Sequence, residues 1–247
     1  MVFGLFSKER ALQRTIKKAT NKLTQSPERW AAMEKLLEVG TDDALHALLR
    51  RFTFASLKSI EDQQEKDWVV QALTAKGEVC VPALRRFMKS STAIAHPLRI
   101  LEGVADRDKA LEVVDDLLSE EQPGYTRDPE KRIQIIDWLA EWKACSNEDV
   151  VERVAPYLAD FDESVRFAAT EALSLRSTPD AAEPLVMALI NPDEESGRLR
   201  VRIAEIMAET GLSLCGQKKA VQPLLDDLLR EFRVQKDKLV RRKKPKS

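Results

Sequence analysis

A basic residue recurs at nearly constant spacing along this chain of 247 residues. Successive positions are 37, 33, 33, 34 and 34 residues apart, and they are Arg29, Lys66, Arg99, Arg132, Arg166 and Arg200. The surrounding sequence repeats as well, because segment 199–207 aligns residue by residue with segment 165–173. A fixed period of this length is typical of proteins built from stacked repeats. We call these six residues the basic ladder.

Composition and spacing both favour helices. Aromatic residues make up only 6% of the chain and glycines number eight, whereas 33% of the residues are charged, which is unlike a β-sandwich or barrel. After Arg132, apolar side chains follow at intervals of three and four residues, which is the helical period. A second set of apolar segments lies between the ladder segments, at residues 44–52, 80–88, 110–118, 150–158, 181–189 and 220–228.

The sequence therefore predicts an all-α protein. We expect an α-solenoid, a superhelix of about six stacked antiparallel helix pairs, with an extra terminal helix at residues 7–23. This repeat domain is expected to cover residues 1–235, and residues 119–130 are expected to form a long loop or hinge within it. Residues 236–247 hold seven basic residues and one acidic residue, and they are predicted to form a basic, disordered tail.

Single residues mark where these helices begin and bend. An aspartate precedes three ladder residues by four positions, as expected of a helix start, at Asp62, Asp128 and Asp162. Glycine is expected to end two ladder helices, at Gly40 and Gly211. Pro156 lies deep inside its segment and is predicted to bend that helix.

Residues 165–173 and 181–189 resemble the two helices of HEAT-like repeats, and residues 160–166 resemble the turn between them. The resemblance is specific for 149–211 and fainter for 27–142. It departs around Arg99, where Glu102 occupies a position that should be apolar. The resemblance implies an ARM/HEAT superhelix that is most often a scaffold or adaptor. It also implies that the second helix of each pair lines the concave face.

The ladder has two interpretations. In HEAT-like repeats, such an arginine usually bonds to acidic side chains or carbonyls of the adjacent repeat, which makes it a structural spacer. Alternatively, a row of basic residues along a groove would bind the phosphates of nucleic acids or phosphopeptides.

Counting from each ladder residue around a helical wheel separates core from surface. Apolar residues cluster at positions −1, +2, +3, +6, +7 and +10, whereas positions +1 and +5 lie away from that cluster. Position +1 is occupied by Trp30, Asp67, Ile100, Ile133, Phe167 and Val201. Position +5 is occupied by Glu34, Gln71, Val104, Asp137, Glu171 and Glu205.

The two positions together suggest a partner surface, because an apolar column beside an acidic column fits a basic amphipathic helix or an extended peptide. The alternative is that superhelical twist buries position +1 between helices. The predicted contact residues are Trp30, Ile133, Phe167, Val201, Glu34, Asp137, Glu171 and Glu205.

The two ends of the chain carry further expectations. Phe3, Leu5 and Phe6 either cover the open end of the stack or make a weak peripheral membrane contact. The basic tail could bind nucleic acid, anionic lipid or an acidic protein, or fold back on the acidic column. Its basic residues include Arg241, Arg242, Lys243 and Lys244.

No pattern of residues indicates a catalytic or metal site. The two histidines, His46 and His96, are far apart and have no neighbouring carboxylate, and no nucleotide-binding motif is present. The chain is thus expected to have no cofactor or metal and not to be an enzyme. Three cysteines without a paired motif and the lack of an apolar run long enough to span a membrane favour the cytoplasm.

The predicted function is a non-catalytic scaffold that binds a peptide or helix of a partner protein on its concave face. The alternative is a nucleic-acid-binding, DNA-glycosylase-like HEAT protein that uses the basic tail and the ladder, with Trp30 and Asp67 at its site. A bilin-lyase-like role is implied by family resemblance alone.

Overall fold

The computed structural model describes residues 2–56 and 58–242, with side chains from residue 9 onward. It divides between Glu120 and Glu121 into two compact units. The helices of the first unit are α1 (Val2–Thr20), α2 (Ser26–Val39), α3 (Asp42–Leu49), α4 (Ser59–Lys76), α5 (Val81–Ser90), α6 (Ala95–Val104) and α7 (Arg107–Glu120).

The second unit continues the alternation of helices and then ends in a hairpin. Its helices are α8 (Glu130–Glu141), α9 (Asn147–Val154), α10 (Glu163–Leu175), α11 (Ala182–Ile190), α12 (Gly197–Thr210) and α13 (Lys218–Asp226). Two antiparallel strands follow, β1 (Phe232–Gln235) and β2 (Lys238–Arg241). The prediction of an all-α protein built from stacked helix pairs is confirmed. The division into two units falls inside the loop predicted at residues 119–130. The sequence had predicted that this loop lies within one domain covering residues 1–235.

Helix ends follow the signals in the sequence in most places. Gly40 and Gly211 end α2 and α12 with left-handed backbones, at φ of 61° and 68°, which a glycine adopts at little cost. Asp162 caps α10 by accepting a hydrogen bond from the backbone N–H of Ser164. Pro156 was predicted to bend its helix, but α9 instead ends at Val154 and the chain continues as a 3₁₀ turn over Ala155–Ala159. Asp62 was expected at a helix start but lies within the first turn of α4, which begins at Ser59.

Apolar side chains of alternating helices form the core of the second unit. In α10, the core-facing side chains are three or four residues apart, and Val165, Ala169 and Leu173 are completely buried. Helix α10 packs against α8, α9 and α12. Burial of one Leu, Val or Ile side chain stabilises a fold by roughly 1.5–3 kcal/mol, so these contacts hold the repeats together. Trp138 and Trp142 are buried and stacked, with ring centroids 4.6 Å apart.

Residues 236–242 were predicted to belong to a disordered tail, but they form part of a C-terminal hairpin. Phe232 and Leu239 are buried and anchor the two strands, so residues 236–242 belong to the folded unit. Alternation of buried and exposed residues over four-residue strands is too short a pattern to distinguish from a charged tail. Lys236 in the turn has φ of 57°, where glycine or asparagine would be more usual. Lys243 and Lys244 lie outside the described residues.

A buried ion network links α2, α4 and the turn after α3 in the first unit. Glu65 is fully buried and accepts hydrogen bonds from Arg29 Nε and Arg51 Nε, both at 2.7 Å, and from Ser26 Oγ at 2.9 Å. Arg51 also contacts Asp62 Oδ1 at 2.6 Å. Burial alone would raise the pKa of Glu65, but the hydrogen bonds from Arg29, Arg51 and Ser26 outweigh it and hold that pKa below its usual range.

Removing the carboxylate at the centre of this network should destabilise the protein strongly. We expect Glu65→Ala to lower the free energy of unfolding by about 3–5 kcal/mol, because two buried guanidinium groups lose their counter-charge. Urea unfolding followed by circular dichroism measures the change. The control is Glu61→Ala on the same helix, whose side chain pairs with exposed Lys58 and should matter by no more than about 1 kcal/mol. Equal effects of the two substitutions would contradict a structural role for the network.

Candidate functional site

The ladder arginines of the second unit are hydrogen-bonded to protein groups. Arg166 donates from Nε and Nη2 to both carboxylate oxygens of Glu194, at 2.7 and 2.9 Å, and from Nη1 to the carbonyl of Asp160 at 2.9 Å. Arg132 donates from Nη1 to the Asp160 carboxylate at 2.8 Å and to the carbonyl of Gly124 at 2.6 Å. Each therefore joins the turn before its own helix to the turn before the next ladder helix.

Other ladder positions follow this pattern to different degrees. Arg29 binds Glu65 and the carbonyl of Thr24. Among the described residues, Arg200 binds carbonyls of its own preceding turn alone, those of Asn191 and Glu194. Lys66 pairs with Asp62 on its own helix, at 2.7 Å. Arg99 is exposed and forms no ion pair within the described part of the chain. This geometry favours the structural interpretation of the ladder over the phosphate-binding one.

Position +1 of the second unit is partly accessible. Ile133, Phe167 and Val201 are half-buried on α8, α10 and α12. Phe167 and Val201 line a depression of about 540 Å³, together with Leu228, Arg198, Arg202, Gly197 and Glu205. Leu228 is 42% exposed, and the Arg198 guanidinium lies 4.8 Å from the centre of the Phe167 ring. We call the outward side of α8, α10 and α12 the ladder-helix face.

Two acidic residues of position +5 are already paired. Arg202 donates from Nε and Nη2 to the two oxygens of Glu171, at 2.5 and 2.8 Å. Arg241 of β2 donates to Glu205 at 2.5 Å, and Arg202 lies 3.6 Å from the same carboxylate. The hydrogen bond from Arg202 lowers the pKa of Glu171. The acidic column is therefore largely neutralised at α10 and α12.

At α8 the acidic column remains open. Asp137 is exposed, and Glu130 and Glu141 lie on the same helix. None of the three carboxylates forms an ion pair with the residues that the structure describes. The pKa of Asp137 is raised, chiefly because surrounding protein atoms partly desolvate this exposed carboxylate, and then by the negative charges of Glu141 and Glu130.

The predicted contact residues of the first unit form a separate group. Trp30 is half-buried, with its ring centroid 5.5 Å from that of Trp68, and its indole N–H donates to Glu34 at 3.2 Å. Asp67 is exposed and accepts a hydrogen bond from Gln63. Ile100 was expected on the surface but is fully buried, because α6 turns Ile100 and Leu101 inward and leaves Arg99 and Glu102 outside.

Several residues of the ladder-helix face were not predicted from the sequence. Arg202 occupies position +2, which is predicted to face the core. The charge of the arginine side chain could have indicated that this position is accessible to solvent in α12. Arg198 flanks the predicted positions without belonging to a repeated column, whereas Leu228 ends the apolar segment 220–228, which was not expected to contribute to this face. Arg241 was assigned to the tail, and only the hairpin brings it to Glu205. The side chains of Phe3, Leu5 and Phe6 lie outside the described residues.

Another apolar groove lies away from this face. It has a volume of about 520 Å³ and is lined by the 3₁₀ turn after α9 and by α11, with Pro156, Pro184 and Met187 among its residues. Met187 is 50% exposed. None of the helices in the described part of the chain combines the length and apolar character needed to cross a membrane.

Comparison with known proteins identifies the repeat. The family model described as HEAT repeats matches residues 125–207, which confirms the resemblance seen in the sequence. No curated protein matches the chain. Among solved structures, human deoxyhypusine hydroxylase in complex with glycerol matches with 14% identity and a TM-score of 0.35, over 94% of this chain and 96% of that one.

The structural match corrects one expectation. The matched solved structure is that of a hydroxylase, which is an enzyme. This finding contradicts the expectation that the present chain is not an enzyme. At this level of similarity, nothing about that enzyme's active site is transferred to the present chain.

Replacing a ladder arginine tests its structural role. We expect Arg166→Ala to lower the free energy of unfolding by about 2–4 kcal/mol, because the buried Glu194 carboxylate loses its partner. Arg99→Ala, at an exposed ladder position, should change it by less than about 0.5 kcal/mol. Chemical denaturation of both variants gives the comparison. If Arg166→Ala proved as mild as Arg99→Ala, the arginine would not be a spacer.

Proposed function

Residues 125–207 of this chain are HEAT repeats, and from this premise we propose that the protein is a scaffold that binds a helix or extended peptide of a partner protein on its ladder-helix face. The observation that carries the proposal is the depression formed by Phe167, Val201 and Leu228. Half-exposed apolar side chains on consecutive repeats provide adjacent sites for side chains spaced along one peptide.

Chemistry around the depression favours an apolar anchor with polar flanks. The depression is lined by the apolar side chains of Phe167, Val201 and Leu228 and by the charged side chains of Arg198, Arg202 and Glu205. An aromatic or aliphatic side chain of the partner would be desolvated against the apolar group, and such desolvated contacts carry most of the binding energy in protein interfaces. The charged side chains would fix the orientation of the peptide.

The distribution of charge also suggests the direction of the bound peptide. Asp137, Glu130 and Glu141 are negative on α8, whereas Glu171 and Glu205 are neutralised by Arg202 and Arg241. A basic side chain of the partner would therefore be attracted toward α8. This narrows the predicted acidic surface from the whole of position +5 to the region around Asp137.

A paired substitution of exposed aromatic residues tests the proposal. Phe167→Asp places a charge in the depression and should reduce the capture of a specific partner at least tenfold, which corresponds to about 1.4 kcal/mol. The matched control is Phe161→Asp, which alters a 69% exposed aromatic residue of the same unit outside the depression. Lysate of the native organism is passed over immobilised wild-type and variant chains, and bound proteins are quantified by mass spectrometry.

The proposal predicts a protein that is retained by the wild type and by Phe161→Asp but lost with Phe167→Asp. Circular dichroism establishes that both variants are folded. Identical sets of bound proteins for the three chains would contradict the proposed face.

A further inference from the structure

Positive charge is concentrated at the C-terminal end of the chain. Residues 211–247 contain eleven basic and four acidic residues, whereas the chain as a whole has a net charge of −1. Six of these basic residues lie between 230 and 242, in and around the hairpin. A sign asymmetry of this kind indicates an anionic partner for the basic end.

The strand register separates the two faces of the hairpin. Phe232 and Leu239 are buried, so they define the inward face. Side chains alternate along a strand, and directly opposed residues share a face. Arg233, opposite Val240, and Gln235, opposite Lys238, therefore belong to the outward face.

Three cations of the hairpin are available to a ligand. Arg233 and Lys236 are exposed and form no ion pair within the described residues. Arg242 uses its Nε for the carbonyl of Phe232, which leaves the two terminal nitrogens of the guanidinium. Of the other two strand cations, Arg241 pairs with Glu205, and the Nζ of Lys238 lies near Gly211 at the C-terminal end of α12.

From this arrangement we propose that the outward face of the hairpin binds double-stranded DNA by entering the major groove. Two strands about 4.8 Å apart, with their side chains, match a groove about 12 Å wide, which admits a two-stranded ribbon. Arg233, Lys236 and Arg242 contact the phosphates that border the groove. Gln235 lies on the same face and has the donor and acceptor needed to contact an adenine edge.

Two other polyanions fit this surface less well. The major groove of an RNA duplex is deep and narrow, so a ribbon does not enter it. An anionic membrane favours cations that lie beside exposed apolar side chains. The hairpin itself exposes no large hydrophobic residue, and Leu228, the exposed one that precedes it, lines the depression on the ladder-helix face. DNA is therefore the partner that both charge and shape favour.

Fluorescence anisotropy with the full chain and a labelled 20-base-pair DNA duplex tests the proposal. Three phosphate contacts predict that log K falls with log salt concentration with a slope of about −2.7. The variant Arg233→Gln/Lys236→Asn should reduce the steepness of that slope by about 1.8 and weaken binding at 50 mM salt by on the order of tenfold. Asparagine is chosen because it tolerates the left-handed backbone at position 236.

The matched control removes the same charge elsewhere. Lys17→Gln/Lys22→Gln neutralises two exposed lysines of the first unit and should leave both slope and affinity unchanged. Deletion of residues 243–247 separates any contribution of the terminal lysines, and the double variant should weaken DNA binding in that background too.

Four outcomes would overturn the proposal. They are no binding of DNA at 50 mM salt, equal losses in the hairpin and control variants, equal or tighter binding of an RNA duplex of the same sequence, and preferential binding of phosphatidylserine-containing vesicles. The hairpin variants do not alter the ladder-helix face. A failure of the DNA-binding proposal would therefore not affect the scaffold proposal, which is tested by the Phe167 variant.

Discussion

The guanidinium groups of Arg132 and Arg166 each join two consecutive turns of the stack. In the second unit, Arg166 binds the carbonyl of Asp160 in the turn before its helix and the carboxylate of Glu194 in the next turn. Asp160 in turn accepts a hydrogen bond from Arg132, so one turn is held from both sides. Because these polar groups are buried or partly buried, breaking one contact leaves a charge without compensation. The spacing of the repeats depends on these bonds.

This use of the arginines determines what the rest of the surface can do. Their charge is satisfied within the protein, so the ladder-helix face presents half-exposed apolar side chains and a few charges beside them. Phe167 and Val201 come from different repeats but reach the same depression. Repeat proteins commonly bind partners in this way, because neighbouring repeats place equivalent side chains along an extended surface. At the hairpin, Arg233 and Lys236 are exposed and have no ion pair within the described residues, which gives the second unit two chemically distinct surfaces.

Periodicity made the helices and the ladder predictable, since both depend on local spacing. The signals at Gly40, Gly211 and Asp162 act within one turn of the chain, and the structure follows them. Features that depend on distant residues were missed. The pairing of Glu205 with Arg241 spans 36 residues and requires the hairpin. The two strands of that hairpin are only four residues long, which is too short for their residue pattern to predict them. Ile100 is buried because α6 departs from the register of the other ladder helices.

The central claim is that the partner contacts the ladder-helix face of the second unit. Photo-crosslinking tests it most directly, with a benzophenone-bearing residue placed at Val201 or, for comparison, at Met187 on α11. Met187 is 50% exposed and lines the other apolar groove. The comparison therefore separates the location of the probe from its exposure to solvent. The account predicts that a partner retained from lysate is crosslinked at position 201 and not at position 187. Crosslinking of that partner at position 187 alone would contradict it.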